Sequence, residues 1–240
     1  MSLKACSIFV TGTDTGVGKT IVTVGLMRLL KGAGLSVAGM KPVAAGAFLQ
    51  DGRLVNEDAL LLQANASVRL DYNQVNPFVF EPPVSPHIAA KKAGQEIDLQ
   101  HIRRAYEEVA KVADCVVVEG VGGWEVPLNE RQRVADLARV LGLPVLLVVG
   151  LRLGCLNHAL LTQRAIENSG VSCIGWIANQ IERDFLFSAE NLETLENSLN
   201  WPLLTALPFH DEREGFAQDI FPTWAKDNVL HALSSYVKFS

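Results

Sequence analysis

The sequence has few cysteines, no excess of positive charge and no long apolar run. Its four cysteines are scattered without a CxxC pair, which argues against a disulfide scaffold or a thiolate metal site. The formal net charge of -5 gives no reason to expect nucleic acid or an anionic membrane as a partner. No apolar stretch approaches the roughly 20 residues of a membrane span, and the first residues do not resemble a secretory leader. We therefore expect a cytoplasmic protein.

The apolar residues, 49% of the 240, fall into short β-branched runs that alternate with helical patterns. The predicted strands are Cys6–Val10, Ser36–Met40, Cys115–Glu119, Val145–Val149, Cys173–Ala178 and Leu203–Leu207. The predicted helices are Thr20–Lys31, Asp58–Gln63, Leu99–Ala113, Val134–Leu141, Asn157–Asn168, Ala189–Leu199 and Ala225–Val237. This alternation predicts an α/β fold with a doubly wound, mostly parallel sheet and helices on both faces. We expect one domain over residues 1–240.

A glycine-rich segment, Gly12-Thr13-Asp14-Thr15-Gly16-Val17-Gly18-Lys19-Thr20, lies between the first strand and the first helix. A loop of this kind aims backbone N–H groups and a helix N-terminus at one point, which favours phosphate. Lys19 would reach the outer phosphates, and the Thr20 hydroxyl would bind Mg2+. Gly12 lies one place before the usual first glycine, whereas Gly18, Lys19 and Thr20 match the pattern. The segment predicts a nucleoside triphosphate site.

Two charged residues directly follow predicted strands, where ligands of a parallel sheet bind. Lys41 follows the second strand and precedes a proline, and a cation there would offset charge on a transferring phosphoryl group. Glu119 ends the third strand, which is the pattern of a strand delivering a carboxylate to Mg2+. The glycines that follow Glu119 favour close approach of the backbone to a ligand.

Three further features each have two interpretations from the residues alone. Asp58 is either a metal ligand or an acid placed at a helix N-terminus by the helix dipole. The segment Val149–His158 is either an anion-binding loop before a helix or an ordinary connection. Asn179 either contacts a base edge or caps a turn.

Several motifs together resemble the dethiobiotin synthetase family, in order over nearly the whole chain. They include the glycine-rich segment, Gly39-x-Lys41-Pro42-Val43-Ala44, Asn56-x-Asp58-Ala59-Leu60, Val75-Asn76-Pro77, Ser85-Pro86-His87-Ile88, Val118-Glu119-Gly120-x-Gly122-Gly123-Trp124, Leu153-Gly154-Cys155-x-Asn157-His158 and Gly175-Trp176-x-Ala178-Asn179. The resemblance implies a P-loop fold and an ATP-dependent cyclo-ligase that uses Mg2+ in biotin synthesis. It implies that 7,8-diaminononanoate and CO2 become dethiobiotin through a carbamate and a carbamic–phosphoric anhydride, with release of ADP and phosphate.

The same resemblance implies roles for individual residues. Lys41 and Lys19 would be catalytic, and Thr20, Asp58 and Glu119 would bind Mg2+. The nucleotide would contact Gly16, Val17, Gly18, Lys19, Thr20, Ile21, Asp58, Glu119, Gly120, Val121, Gly122, Asn179, Gln180, Pro208, Phe209 and His210. The substrate would contact Thr15, Lys41, Ala45, Gly122, Gly154, Cys155, Leu156 and Asn157. The family is a homodimer, in which the loop at Gly154 of one subunit would hold the substrate carboxylate in the site of the other.

Three other functions are weighed against the ligase. A partitioning-type ATPase carries a signature lysine at the position of Asp14, and an aspartate cannot supply that charge. An amidoligase of the cobyrinic acid synthase type carries a glutaminase domain, for which 240 residues leave little room. A nucleotide-binding scaffold without turnover would not need Lys19, Thr20, Lys41 and Glu119 together.

Overall fold

The computed structural model describes residues 6–209, 221, 223–234 and 236. Its strands are β1 Cys6–Gly12, β2 Val37–Met40, β3 Val43–Ala45, β4 Phe48–Gln50, β5 Arg53–Val55, β6 Phe78–Phe80, β7 Cys115–Glu119, β8 Val145–Leu151, β9 Cys173–Gln180 and β10 Leu203–Leu207. Its helices are α1 Lys19–Gly32, α2 Glu57–Asn65, α3 Tyr72–Val75, α4 Pro86–Lys92, α5 Leu99–Val109, α6 Val134–Leu141, α7 Cys155–Ser169, α8 Ser188–Ser198 and α9 Thr223–Leu233.

Six strands form one sheet in the order β10-β9-β8-β1-β7-β2, and every neighbouring pair is parallel. These are the six strands predicted from the apolar runs, so the predicted fold class is confirmed. β1 lies between β8 and β7. The order therefore brings the carboxyl end of β1 beside the carboxyl ends of β7 and β8, where loops that follow these strands can share one site.

Short strands between β2 and α5 were not predicted. β3 pairs in parallel with β6, and β4 forms an antiparallel hairpin with β5. Each of these four strands has only three residues, too few for alternation of apolar and polar residues to appear. The proline-containing stretch 76–86 holds β6 and the start of α4. α4 begins at Pro86, a residue that is favoured in the first turn of a helix, and the Ser85 side chain makes no capping hydrogen bond.

The core lies on the central strands, whose side chains are buried on both faces of the sheet. All seven residues of β8 are buried, as are all five of β7, which accounts for their continuous apolar sequences. α1 and α2 pack against β2 at Gly39, where an added Cβ atom would lie 2.8 Å from the Met27 sulfur and 2.9 Å from the Leu62 Cβ. No helix in the part of the chain that the structure describes is long and apolar enough to cross a membrane.

The close contact of Gly39 with Met27 and Leu62 leads to a prediction about stability. Gly39→Ala should lower the free energy of unfolding by about 1–3 kcal/mol, because the methyl group overpacks the contact with α1 and α2. The matched control is Gly32→Ala at the end of α1, where an added Cβ atom meets nothing within 4 Å. The control should change stability by less than about 1 kcal/mol. Denaturant unfolding measures both, and equal effects would contradict the packing argument.

Candidate active site

The glycine-rich loop between β1 and α1 leaves the first turn of the helix open to a ligand. Gly16 and Gly18 adopt positive φ angles of 74° and 85°, which glycine tolerates and which turn the chain sharply into α1. Gly18 occupies the N-cap position, and no side chain caps the helix there. The N–H groups of the first turn thus face the loop without a side-chain acceptor, as an anion site requires.

A buried lysine lies between two carboxylates beside this loop. Lys41 Nζ lies 2.5 Å from Glu119 Oε1 and 2.9 Å from Asp58 Oδ2. The Thr20 hydroxyl donates to the same Glu119 oxygen at 2.9 Å. Lys41 follows β2 and Glu119 ends β7, so the parallel register of these strands brings both to one point. Asp58 comes from the first turn of α2, where it also agrees with the preference for an acid at a helix N-terminus.

The charges of this cluster perturb one another strongly. Burial lowers the pKa of Lys41, but the facing carboxylates of Glu119 and Asp58 outweigh it and raise the pKa to about 12. Burial also acts on Asp58, yet Lys41 holds the pKa of Asp58 below its ordinary value. Burial raises the pKa of Glu119, with the nearby Asp58 charge acting in the same direction. Lys41 is thus a permanent cation at neutral pH.

Lys19 is also buried, and its positive charge is less well compensated than that of Lys41. Its Nζ donates to the Asp14 carbonyl at 2.7 Å. Burial, followed by the positive charge of Lys41, lowers the pKa of Lys19 to about 8. Among the residues that the structure describes, no carboxylate is bonded to Lys19, and an anionic ligand would stabilise its charged form.

The loop and the cluster line one cleft of about 870 Å3. Of the predicted site residues, those lining it are Thr15, Gly16, Gly18, Lys19, Thr20, Ile21, Lys41, Ala45, Asp58, Glu119, Val121 and Gly122. Asn56, Leu61, Ser85, Pro86 and Val126 also line the cleft and were not among the predicted site residues. Asn56 caps α2, accepting a hydrogen bond from the Ala59 N–H. Its family motif was the one signal that could have pointed to it.

The remaining predicted residues lie outside that lining. Val17 is buried beneath the loop, and its carbonyl accepts the Asn179 amide at 3.0 Å. The Gly120 carbonyl lies 3.4 Å from Lys41 Nζ. Gln180 donates to the carbonyls of Glu182 and Arg183.

The loops after β8 and β10 supply the other predicted positions. Gly154 is the exposed N-cap of α7, whose first turn contains Cys155, Leu156 and Asn157. Pro208 is exposed, and the Phe209 ring lies 4.9 Å from the Arg183 guanidinium carbon. His210 lies outside the described residues.

The residues present fit a magnesium ion. Glu119 Oε2 is buried and has no hydrogen-bond partner, and it lies on the carboxylate that already contacts Thr20 and Lys41. Mg2+ prefers oxygen ligands and is commonly held by one or two carboxylates together with substrate phosphates and water. Glu119, Asp58 and the Thr20 hydroxyl provide this kind of donor set beside the phosphate loop.

The fold and this site together define a P-loop nucleotide-binding protein. A family model described as an AAA domain matches residues 6–215. The MinD cell division protein of Aquifex aeolicus is similar in fold, with a TM-score of 0.59 and 18% identity, covering 95% of this chain and 97% of that one. A ParA family ATPase from Chlorobium tepidum has a TM-score of 0.55 and 16% identity, covering 95% and 99%.

Curated relatives identify the family. The ATP-dependent dethiobiotin synthetase BioD of Aromatoleum aromaticum is 50% identical over 200 residues, which cover 83% of this chain and 89% of the relative. The protein of the same name from Nitrosospira multiformis is 48% identical over 209 residues, covering 86% and 91%. This chain belongs to the ATP-dependent dethiobiotin synthetases, which are ligases of biotin biosynthesis. The resemblance of the motifs is thereby confirmed.

The two buried lysines predict stability changes of opposite sign. Without nucleotide or divalent cation, Lys41→Met should lower the free energy of unfolding by about 3–5 kcal/mol, because Glu119 and Asp58 lose their counter-charge. Lys19→Met should raise it by about 1–3 kcal/mol at pH 7, because a buried charge with a lowered pKa is removed.

The effect of Lys19→Met depends on pH. Between the folded pKa of about 8 and the ordinary value of 10.5, the unfolded state binds more protons, so the wild type gains stability as the pH rises. The gain in the free energy of unfolding of Lys19→Met over the wild type is therefore complete below pH 8 and should vanish towards pH 10.5. Denaturant unfolding of both variants across this range measures it. Destabilisation by both variants at pH 7 would contradict the electrostatic account.

Proposed function

We propose that this chain converts 7,8-diaminononanoate, CO2 and ATP into dethiobiotin, ADP and phosphate. The observation that carries the proposal is the Lys41–Glu119–Asp58 cluster beside the phosphate loop, in a chain 45–50% identical to proteins named ATP-dependent dethiobiotin synthetase. The cleft offers cations and N–H donors for a phosphoryl group. Electrostatic stabilisation of developing charge by preorganised groups is a principal means of catalysing such a transfer.

The residues of the cleft have distinct roles in this proposal. One amine of the substrate combines with CO2 and loses a proton to give a carbamate. A carbamate oxygen then attacks the γ-phosphate, which breaks the bond to ADP and gives a carbamic–phosphoric mixed anhydride. Lys19 stabilises the outer phosphate oxygens, and Lys41 stabilises the carbamate and the transferring phosphoryl oxygens. The second amine then attacks the carbamate carbon of the mixed anhydride, which closes the ureido ring and expels phosphate. The cleft therefore has to align the reacting groups and need not supply a protein nucleophile.

Thr20, Asp58 and Glu119 would hold Mg2+ in this proposal. When bound, the ion would neutralise charge on the phosphates and help to orient them. Lys41 already contacts both carboxylates, so its ammonium would share them with the ion or turn towards the phosphoryl group. Either arrangement keeps Lys41 close to the reacting oxygens.

The other proposed contacts come from loops at the same end of the sheet. Gly16, Val17, Gly18 and Ile21 surround the phosphates, Gly120, Val121 and Gly122 approach ATP and substrate, and Asn179, Gln180, Pro208, Phe209 and His210 frame the adenine. Thr15 and Ala45 border the substrate. Gly154, Cys155, Leu156 and Asn157 hold its carboxylate through the N-terminus of α7 in a homodimer. We also propose that the enzyme is a single domain and works in the cytoplasm.

The reaction is tested by measuring the release of ADP by the purified protein with Mg2+. ADP formation should require both 7,8-diaminononanoate and bicarbonate, and dethiobiotin should form in equal amount. A diamine lacking the carboxylate serves as the control substrate and should react poorly. ATP hydrolysis that is indifferent to the diamine would contradict the ligase and favour a switch ATPase.

The shared site of the proposed homodimer is tested by subunit complementation. Lys41→Gln removes the catalytic cation. Gly154→Val strains the loop before α7, because Gly154 has a φ angle of 95° that side-chain-bearing residues rarely adopt. An added Cβ atom would meet nothing within 4 Å, so the strain would be confined to the backbone. Each variant alone should have little activity. Random pairing of an equal mixture makes half the dimers mixed, each with one intact site, so roughly a quarter of wild-type activity should return. No recovery in a mixture shown to exchange subunits would exclude a carboxylate loop acting across the interface.

A further inference from the structure

An ion pair joins the phosphate loop to the loop after β8, and neither of its residues was among the predicted site residues. Arg152 Nη2 lies 2.5 Å from Asp14 Oδ2. The two loops leave neighbouring strands, since β1 pairs with β8 and the Thr13 N–H donates to the Val148 carbonyl at 3.0 Å. Both side chains are partly exposed, at 33% for Arg152 and 43% for Asp14. Such exposed pairs contribute little to the free energy of folding, so a role for this pair has to come from what Asp14 does within the phosphate loop.

Asp14 organises the phosphate loop through three separate acceptors. Its Oδ1 atom accepts the Thr15 N–H at 2.7 Å, and its carbonyl accepts Lys19 Nζ at 2.7 Å. Its Oδ2 atom contacts Arg152. One residue thus fixes the loop backbone at Thr15 and the resting position of the phosphate-binding lysine.

The same residue brings an unfavourable charge to the site. A carboxylate in the loop that binds a triphosphate repels that ligand, and the repulsion is strongest where the carboxylate has no counter-ion. Arg152 is the cation that contacts the Asp14 side chain. An exchange of Asp14 for a neutral residue would remove the repulsion, and an asparagine could still accept the Thr15 N–H.

We propose that Arg152 is a positioning residue for nucleotide binding, which holds and neutralises the Asp14 carboxylate so that Asp14 can order the phosphate loop without repelling the triphosphate. Arg152 acts through Asp14 and does not itself contact the phosphates. The proposal rests on ATP as the co-substrate and is independent of the diamine. Its failure and a failure of the ligase assignment are therefore distinguishable when nucleotide binding is measured without diamine.

The test measures the affinity of the purified protein for a fluorescent, non-hydrolysable ATP analogue with Mg2+. Arg152→Gln should weaken binding about tenfold, because the Asp14 charge is left unpaired. The affinities of Asp14→Asn and Arg152→Lys should each stay within about threefold of the wild type. Asp14→Asn removes the negative charge, and Arg152→Lys keeps a cation beside Asp14. The double variant Asp14→Asn/Arg152→Gln should also bind within about threefold, so that the first substitution rescues the second.

Two further measurements separate this role from a structural one. The deficit of Arg152→Gln should shrink as salt is raised, since screening weakens the repulsion. In turnover assays, this variant should raise the KM for ATP more than it lowers kcat. Arg103→Gln on α5 breaks a comparable exposed pair with Glu107, at 2.9 Å, and should leave affinity unchanged.

Several outcomes would overturn the proposal. A double variant as weak as Arg152→Gln would mean that Arg152 contacts the nucleotide directly. Wild-type affinity in Arg152→Gln would mean that the pair has no role in binding, and an increase confined to the KM for the diamine would assign Arg152 to the substrate. If Arg152→Gln does not fold, the double variant decides between the same alternatives, since it supports the proposal near wild-type affinity and overturns it when about tenfold weaker.

Discussion

The buried ammonium group of Lys41, held between Glu119 and Asp58, is the interaction on which the site depends. Three separate elements must be in place to form it, since β2 leads to Lys41, β7 ends at Glu119 and α2 begins beside Asp58. Burial of any one of these charges alone would be costly, so the cluster links the ends of the two strands to the orientation of the helix. The parallel β2–β7 register supplies the alignment, because Met40 pairs with Val118 directly before Lys41 and Glu119.

The cluster and the phosphate loop have complementary electrostatic properties. In the cluster, one lysine faces two carboxylates, and Lys41 remains charged at neutral pH. In the loop, Lys19 is buried with less compensation, which favours an anion in the cleft. A triphosphate with its metal ion satisfies both parts, because it brings negative charge to Lys19 and positive charge to the free oxygen of Glu119. The geometry is thus prepared for a phosphoryl group before the ligand arrives.

The sheet and the centre of the site could be predicted from the sequence because they rest on local patterns. Buried parallel strands are continuous apolar runs, and Lys41 and Glu119 directly follow or end such a run. Lys19 belongs to the glycine-rich motif between β1 and α1, which is also a local pattern. Contacts between distant segments could not be predicted in this way. Arg152 is 138 residues from Asp14, and a partly exposed ion pair leaves no periodic signal. The hydrogen bond from the Asn179 amide to the Val17 carbonyl was not predictable for the same reason. Three-residue strands such as β3 are too short to show alternation of apolar and polar residues.

The central claim is that the cleft directs the γ-phosphate to a carbamate and not to water. The most direct measurement uses 18O-labelled bicarbonate with 7,8-diaminononanoate and ATP, mixed rapidly before the label exchanges with water. If a carbamate oxygen attacks the phosphorus, the released phosphate carries one 18O atom, which shifts its 31P resonance, and dethiobiotin forms in equal amount. Phosphate that instead takes its new oxygen from the solvent would contradict the account.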